Sequence, residues 1–570
     1  MSATRIRRRA PGRADGLPDN LHPVLRRVYA ARGVAAAADL DQSLQTLLPV
    51  GSLPGVAAAA RLLAGERAQG RVLVIGDFDA DGATSSALVV RALRALRFAH
   101  VDFLVPDRFR FGYGLTPEIV ELAATRKPSL IVTVDNGVSS IDGVAAARRR
   151  DIPVLVTDHH LPGARLPEAA AIINPNLPGS SFGSGALAGV GVAFYLMVAL
   201  AQELQAEDFR AAELLDLVAL GTVADMVPLD RNNRILVAQG LRRIRAGRCV
   251  PGIRALFEAA GRRLDTVSAA DLGFAAAPRL NAAGRLTDMT VGIECLLTDD
   301  LHEAARLARQ LSTLNEERRE LEKRMQAEAV DLAATLASAD DGRSAPGVCL
   351  FDPGWHLGVV GLVAGRIKDR LHRPVIAFAP TEDGSLRGSA RSVPGVHIRD
   401  ALDSIAARYP GLVPKFGGHA LAAGLSLQPQ RLEEFRAAFA AEIAQRAGPD
   451  SLQGWILTDG ELERPLLSMA TALALRAAGP WGQGFPEPLF DGEFDIVDSR
   501  LVGERHLKLR LRAATGCETL DAILFGHVGG ASEAHDVGRG ARVRLAYRLE
   551  VNEWNGMEKI QLNCQYLEPA

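Results

Sequence analysis

Three stretches of this chain are continuous apolar runs: Val72-Leu73-Val74-Ile75, Leu130-Ile131-Val132-Thr133-Val134 and Pro153-Val154-Leu155-Val156. Short runs rich in β-branched residues predict strands buried on both faces. Val101-Asp102-Phe103-Leu104-Val105 adds a further strand-like segment. Helical patterns separate them, from Ala83 to about Leu96, from Pro117 to Ala124 and from Ile141 to Arg149. Strands alternating with helices predict an α/β fold with a parallel sheet covered on both sides. The pattern then changes. Leu307, Leu311, Leu314, Leu321 and Met325 recur at helical spacing, interrupted by Arg318, with Glu and Arg on the other face. This predicts a long helical spacer, its stripe too short to favour a coiled-coil dimer. Val348–Phe351 and Pro374–Phe378 are again strand-like, with a helix opening between them near Gly361. Farther on, His506–Arg512 and Arg542–Leu549 alternate apolar with cationic residues, and Asn555-Gly556 is a hairpin signal. That predicts a small antiparallel, OB-like β-barrel with one basic face.

These changes of pattern set the expected domains. A lead-in occupies residues 1–60, an α/β domain 61–236, a helical connector 237–340, a second α/β domain 341–450 and the barrel 455–570. A hydrophobic content of 48% with 23% charged residues is that of folded rather than disordered chains. The net charge of −2 excludes an overall basic field, so a nucleic-acid partner would have to use local cationic patches. Cys249, Cys295, Cys349, Cys517 and Cys564 form no CxxC pair. That argues against a zinc ribbon or a disulfide framework and fits a reducing cytoplasm. No apolar run reaches about 18 residues, so no membrane-spanning helix is expected. The basic start (Arg5, Arg7, Arg8, Arg9) leads into Pro11 and Gly12 rather than an apolar signal core.

The chemistry gathers at the strand ends. Ile75 leads through Gly76 to Asp77-Phe78-Asp79-Ala80-Asp81-Gly82, Val134 to Asp135-Asn136-Gly137, and Val156 to Thr157-Asp158-His159-His160. Asp225 follows the helical stretch Leu214–Leu220. Ligands of an open parallel sheet bind beyond the carboxyl ends of its strands. Any one of these acids could be a helix cap or a solvated turn. Asp79, Asp81, Asp135, Asp158, His159, His160 and Asp225 at one crest are hard to explain as caps. Converging carboxylates repel one another, and some retain protons unless a cation joins them. Mostly oxygen donors with a minority of imidazole suit Mn²⁺ or Mg²⁺ better than structural zinc. The acids exceed the needs of one ion, so two are expected. The chemistry implied is hydrolysis of a phosphoanhydride or phosphodiester.

These motifs, in this order, resemble those of the DHH phosphoesterase superfamily. The resemblance implies that Asp79, Asp81, Asp135, His159 and Asp225 hold the metals. Asp77 and Asp158 would be outer or alternative ligands, and His160 would meet the scissile phosphate or the attacking water. Asp107–Gly114 is Gly-rich and offers Arg108 and Arg110 as phosphate ligands; solvated arginines are the alternative. Pro278–Arg285 reads as a second loop, carrying Arg279, Asn281 and Arg285. Both segments, and Pro480–Pro488 before the barrel, resemble those of one branch, the RecJ single-strand exonucleases. Leu386–Ser392 combines small residues with two cations, as suits a phosphate loop. Trp355–Gly361, Leu386–Ser392 and Phe416–Ala420 together resemble the accompanying DHHA1 domain, with His356, Ser389, Arg391 and His419 toward substrate. In the barrel, Lys508, Arg510 and Arg544 are candidate phosphate contacts, and Trp554 and Phe525 candidate stacking surfaces.

The resemblance implies a metal-dependent 5′-to-3′ exonuclease that degrades single-stranded DNA by two-metal-ion hydrolysis, in DNA repair and recombination. Its implied partners are single-stranded DNA, a single-strand-binding protein and a helicase, with no membrane and a monomeric state. One alternative is a DHH phosphoesterase acting on short oligonucleotides or small phosphoesters, which would not need the basic barrel. Another is a scaffold that binds DNA without cleaving it, which lost acids would mark; none is lost here.

Overall fold

The computed structural model describes residues 4–107, 110–339, 345–448, 450–503, 505–513, 518–527, 538–554 and 557–570, the side chains of 336–339 and of Trp554 excepted. Two compact units result. One comprises Val34–Glu317 with Ala478–Glu487, and the other Met1–Gly33, Arg318–Ala477 and Pro488–Ala570.

The first unit is built on a five-stranded, all-parallel sheet. Its spatial order is His100–Leu104, Arg71–Ile75, Leu130–Val134, Val154–Thr157, Ala171–Ile173. The continuous apolar runs become buried strands, with every residue of Leu130–Val134 out of solvent. Leu73, Ile75, Ile131, Val154 and Val156 pack on helices Pro117–Ala124 and Ile141–Arg148. Alternate residues turn to the other face, covered by helices Ala80–Ala95 and Gly189–Glu203. The helices begin where local chemistry predicts. Thr116 caps one and puts Pro117 in its first turn, and Asp79 caps Ala80–Ala95. Arg71–Ile75 sits between the strand that follows it in sequence and Leu130–Val134. The connections therefore diverge beside it, and this topological switch point opens a crevice at the carboxyl ends.

The second unit holds a mixed sheet in the order Lys415–Gly418, Ala422–Leu427, Leu386–Arg391, Val375–Pro380, Val348–Phe351, whose last pair alone is parallel. Phe378, Phe435 and Phe439 lie in its core. The same unit contains a closed barrel of Phe490–Val502, His506–Ala513, Thr519–Leu524, Met557–Pro569 and Arg542–Trp554. Leu507, Leu509 and Leu511 face its interior, as their alternation predicts. The second barrel alternation is not strict. The register shifts between Ala546 and Tyr547, and both are buried: Ala546 packs with Ile6 and Tyr566, and Tyr547 lies against Phe490 and Phe494. The lead-in contributes a strand, Arg5–Arg8, which pairs in parallel with Trp455–Thr458. Helix Leu301–Ala339 spans the stretch expected to be helical, with Leu307, Leu311 and Met325 buried. Asn555 and Gly556 lie outside the described residues. No single helix among the described residues is long and apolar enough to cross a membrane.

Candidate metal centre

The crevice at the switch point brings together the acids of the strand ends. Asp77 leaves Arg71–Ile75, buried. Asp79 Oδ1 accepts from Asp81 N and Gly82 N at 3.0 Å, so it caps the helix and fixes the turn. Asp81 has no solvent exposure. Its two oxygens accept from Gly189 N at 2.6 Å and Val190 N at 3.0 Å, the first amides of a facing helix. Asp135 has φ +62°, a left-handed conformation that Asp tolerates. Asp158 is locked: Oδ1 accepts from His159 N at 2.7 Å and meets His160 Nδ1 at 2.8 Å, while Oδ2 accepts from Val138 N at 2.9 Å. Asp225 caps the carboxyl end of helix Leu215–Ala224.

Three groups have ligand atoms within 4.8 Å of one another: Asp77, Asp79 and Asp135; Asp81, His159 and Asp225; and Asp135, His159 and His160. The groups share residues, as a centre for two ions would. His159 Nε2 stands 3.1 Å from Asp135 Oδ1 and 3.5 Å from Asp225 Oδ2. Both carboxylate oxygens are buried and make no hydrogen bond. A buried, unbonded carboxylate oxygen is costly, and a cation would satisfy both at once.

The electrostatics agree with a cation site. Burial, then Asp225 and Asp79, push Asp81 well above the carboxylate range. Burial and the carboxylates of Asp81, Asp79, Asp225 and Asp77 do the same to Asp135. Burial and Asp79 raise Asp225 to about 7. His160 goes up to about 9: burial opposes its charge, but the bond to Asp158 and the surrounding carboxylates outweigh it. Burial would raise its partner Asp158, but the bond to His160 brings that carboxyl below the usual range.

Tyr113 is a member of this site that sequence reading did not single out. Its ring is half exposed, but its hydroxyl donates to Asp135 O at 3.2 Å and meets His160 Nδ1 at 3.1 Å. Burial and four carboxylates hold the phenol protonated, well above its ordinary value. The ring lies edge-on to His160 and Phe78.

Pro278–Arg285, expected as a loop, is part of helix Ala277–Leu286, with Pro278 in the first turn where its missing N–H costs nothing. Asn281 Oδ1 accepts from Ala80 N at 2.8 Å, so it holds the first motif from behind. Arg279 bonds within its own unit, to Ala275 O at 2.7 Å and Ser312 Oγ at 2.9 Å. Arg285 is half-buried on the same helix. Arg110 stacks on Phe111 at the surface, and Arg108 lies outside the described residues.

In the second unit, Leu386–Arg391 is a strand rather than a phosphate loop. Its Ser389 and Arg391 do meet the Gly-rich helix start: a Cβ on Gly361 would lie 2.8 Å from Ser389 Oγ and 2.9 Å from Arg391 Nη2. Arg391 Nη1 donates to Ser389 Oγ at 3.1 Å, and burial lowers its pKa. His356 Nδ1 accepts from Gly358 N, and His419 is exposed after Lys415–Gly418. On the barrel, Lys508 and Arg510 point outward, and Phe525 is exposed. Arg544, a candidate phosphate contact, binds Asp491 at 2.9 Å, a carboxylate buried where the lead-in strand covers the barrel wall and also bound by Arg8 and Thr458. The side chain of Trp554 lies outside the described residues.

Sheet, switch point and acidic crest define a class, that of the DHH phosphoesterases. The profile of the DHH family N-terminal domain matches residues 71–222. The DHHA1 domain matches 345–445 and the RecJ OB domain 458–566. The single-stranded-DNA-specific exonuclease RecJ of Dickeya dadantii (strain 3937) is 52% identical over 99% of each chain, and that of Escherichia coli (strain K12) 51% over 99% of each. The crystal structure of RecJ from Thermus thermophilus in complex with Mn²⁺ is 32% identical, with a TM-score of 0.81 over 99% of this chain and 80% of that one. Its counterpart with Mg²⁺ gives 0.74 at 31% identity, over 99% and 79%. The chain belongs to the RecJ family of single-strand-specific exonucleases.

Proposed function

We infer that this protein is a metal-dependent exonuclease that degrades single-stranded DNA by phosphodiester hydrolysis. The observation that carries the inference is the buried crest: carboxylates that burial and mutual repulsion push up in pKa, two unbonded carboxylate oxygens and an imidazole converge at the switch point. The donor set fits Mn²⁺ or Mg²⁺. Asp79, Asp81, Asp135, His159 and Asp225 would hold the ions, with Asp77 beside them. Bound there, such ions polarise a phosphoryl group and bring water to nucleophilic strength at neutral pH.

The chain's own residues supply the rest. Asp158 fixes the ring of His160 and keeps its charge, so a proton on the imidazole is available to a phosphate oxygen or to the leaving group. The Tyr113 hydroxyl stands beside the same ring nitrogen, 3.1 Å from Nδ1, and 3.4 Å from Nε2. Gly189 and Val190 amides keep Asp81 ionised and aimed once its proton is displaced. Arg391, Ser389 and the helix start at Gly361 form a compact anion cradle in the second unit. We assign it, with His356 and His419, to substrate phosphate. Lys508 and Arg510 are assigned to the strand's backbone. Release from the 5′ end, a role in repair and recombination, a cytoplasmic site, a monomeric state, and a single-strand-binding protein and helicase as partners complete the reading. The buried free thiols Cys295, Cys349 and Cys564 support a reducing compartment.

The test is digestion of a long strand labelled at either end, with Mn²⁺, Mg²⁺ or EDTA, beside its duplex. Short 5′-labelled product should appear early, only with metal and only from the single strand. Asp135→Asn should lower the rate by about 10³-fold with the fold intact, because Asn tolerates the left-handed backbone but offers one ligand oxygen and no charge. Survival of long strands while short diesters are cleaved would leave the centre standing and remove the DNA assignment.

A further inference from the structure

The segment Ala478–Glu487 precedes the barrel in sequence but belongs in space to the unit that carries the metal centre. It holds one residue there, Leu229, by its amide, and the Phe485 ring backs the arginine that holds the carbonyl. Leu229 N donates to Gln483 O at 2.7 Å. Leu229 O accepts from Arg234 Nη1 at 3.1 Å, and that guanidinium lies 4.3 Å over the Phe485 ring. Phe485 in turn stacks on Trp481, with centroids 5.1 Å apart and planes 13° from parallel. Gln42 Nε2 bonds Gly479 O at 3.1 Å and ties the start of the segment to the same unit.

Leu229 closes a short loop that begins at Asp225. The first loop residue, Met226, has φ +61°, a conformation costly for a long side chain. Its side chain is 68% exposed, so packing does not hold it there. Backbone strain of this kind persists only where the surroundings over-determine it. The helix end supplies part of it, Met226 N donating to Val223 O at 3.3 Å, and the hold on Leu229 fixes the far end of the loop. Asn233 Nδ2 adds to it, donating to Pro228 O at 2.9 Å and to Ala186 O at 2.6 Å. Ala186 lies three residues before Gly189, whose amide holds Asp81. The grip on Leu229 thus reaches two carboxylates of the crest.

We propose that Trp481, Phe485 and Arg234 are positioning residues for Asp225 and, through Asn233, for Asp81. The proposal rests on the reading of the crest as a metal centre. Releasing Leu229 lets Met226 relax, and Asp225 then leaves the line of His159. The ligand set loses preorganisation without losing a ligand.

The experiment uses full-length Phe485→Ala, Arg234→Met and Phe485→Tyr beside the wild type. Mn²⁺ binding is read from the electron paramagnetic resonance of the free ion, without DNA. kcat and KM are measured on a 5′-labelled strand, and turnover on bis(4-nitrophenyl) phosphate. Phe485→Ala and Arg234→Met should weaken Mn²⁺ binding about ten-fold and lower kcat on both substrates, with KM for DNA changed less than about two-fold. Excess Mn²⁺ should restore part of the loss, and Phe485→Tyr should behave as wild type. Unchanged Mn²⁺ binding in a folded variant, whether KM for DNA rises or not, overturns the proposal. If Phe485→Ala does not fold, Arg234→Met decides. A wild type that binds no Mn²⁺ removes the metal-centre reading itself.

Discussion

Asp81 has no contact with solvent and like charges nearby, yet it accepts two backbone amides. Such a carboxyl keeps its proton until a cation replaces it. Asp225, raised to about 7, and Asp81 and Asp135, both raised well above the carboxylate range, therefore give up protons as the metal binds. The sign follows. Mn²⁺ affinity should rise as pH rises through about 7, with proton release shrinking above it. Calorimetry of Mn²⁺ binding in buffers of different ionisation heat would show this, and a flat affinity between about pH 6 and pH 8 would refute it. The acids themselves were legible in the sequence because Asp77, Asp79, Asp81, Asp135 and Asp158 follow strands that announce their own ends, and Asp225 follows an apolar helix. Tyr113 was not. It lies in a segment read for its arginines, and its partner His160 is 47 residues away, a pairing with no local signal. The amides of Gly189 and Val190 were invisible for another reason: backbone groups carry no residue type.

At the scale of elements, the apolar runs gave four of the five parallel strands to within a residue; the three-residue strand Ala171–Ile173 and helix Gly189–Glu203 were not read. Pro278–Arg285 misled because Pro, Asn and Gly all have low helix propensity. Each has a tertiary reason that propensity cannot see. Pro278 opens the helix, Asn281 reaches Ala80, and Gly284 lets the helix touch the first motif: a Cβ there would lie 1.8 Å from Phe78 O. Gly284→Ala should therefore push the helix off the motif loop. The expected cost is about 1–3 kcal/mol of stability, with a loss of activity larger than the shift in melting temperature explains. Thermal melting beside strand digestion would separate the two, and a variant with wild-type activity would show that this contact does not place Asp77 and Asp79. Leu386–Arg391 misled in the same way, since small residues and cations suit a phosphate loop but here line a strand beside Gly361.

Across the whole second unit, one carboxylate joins segments that sequence reading kept apart. Asp491 is buried and binds Arg8 and Arg544 at 2.9 Å and Thr458 Oγ1 at 2.6 Å. Burial alone would raise its pKa, but these partners hold it below the usual carboxylate range. A depressed folded value means stability present at neutral pH and lost as pH falls below about 4, through that value. Asp491→Asn should cost about 2–3 kcal/mol at pH 7, and its melting temperature should converge with the wild type in acid. A constant gap at all pH values would place the cost in packing rather than charge. None of this was legible beforehand. Arg544 alternates with leucines as a surface cation does, and the basic lead-in offered no sign of the strand it forms.

That strand has a consequence in time. Arg8 and Asp491 are 483 residues apart, and among the described residues Arg5–Arg8 pairs only with Trp455–Thr458. A ribosome adding about 5–20 residues per second makes the first partner roughly 25–100 s before the last. Through that interval the nascent chain carries an open strand edge and a cluster of arginines with no carboxylate to meet. The second unit is thus completed only once Met557–Pro569 has been made, while the sheet that bears the acidic crest emerges and can close long before.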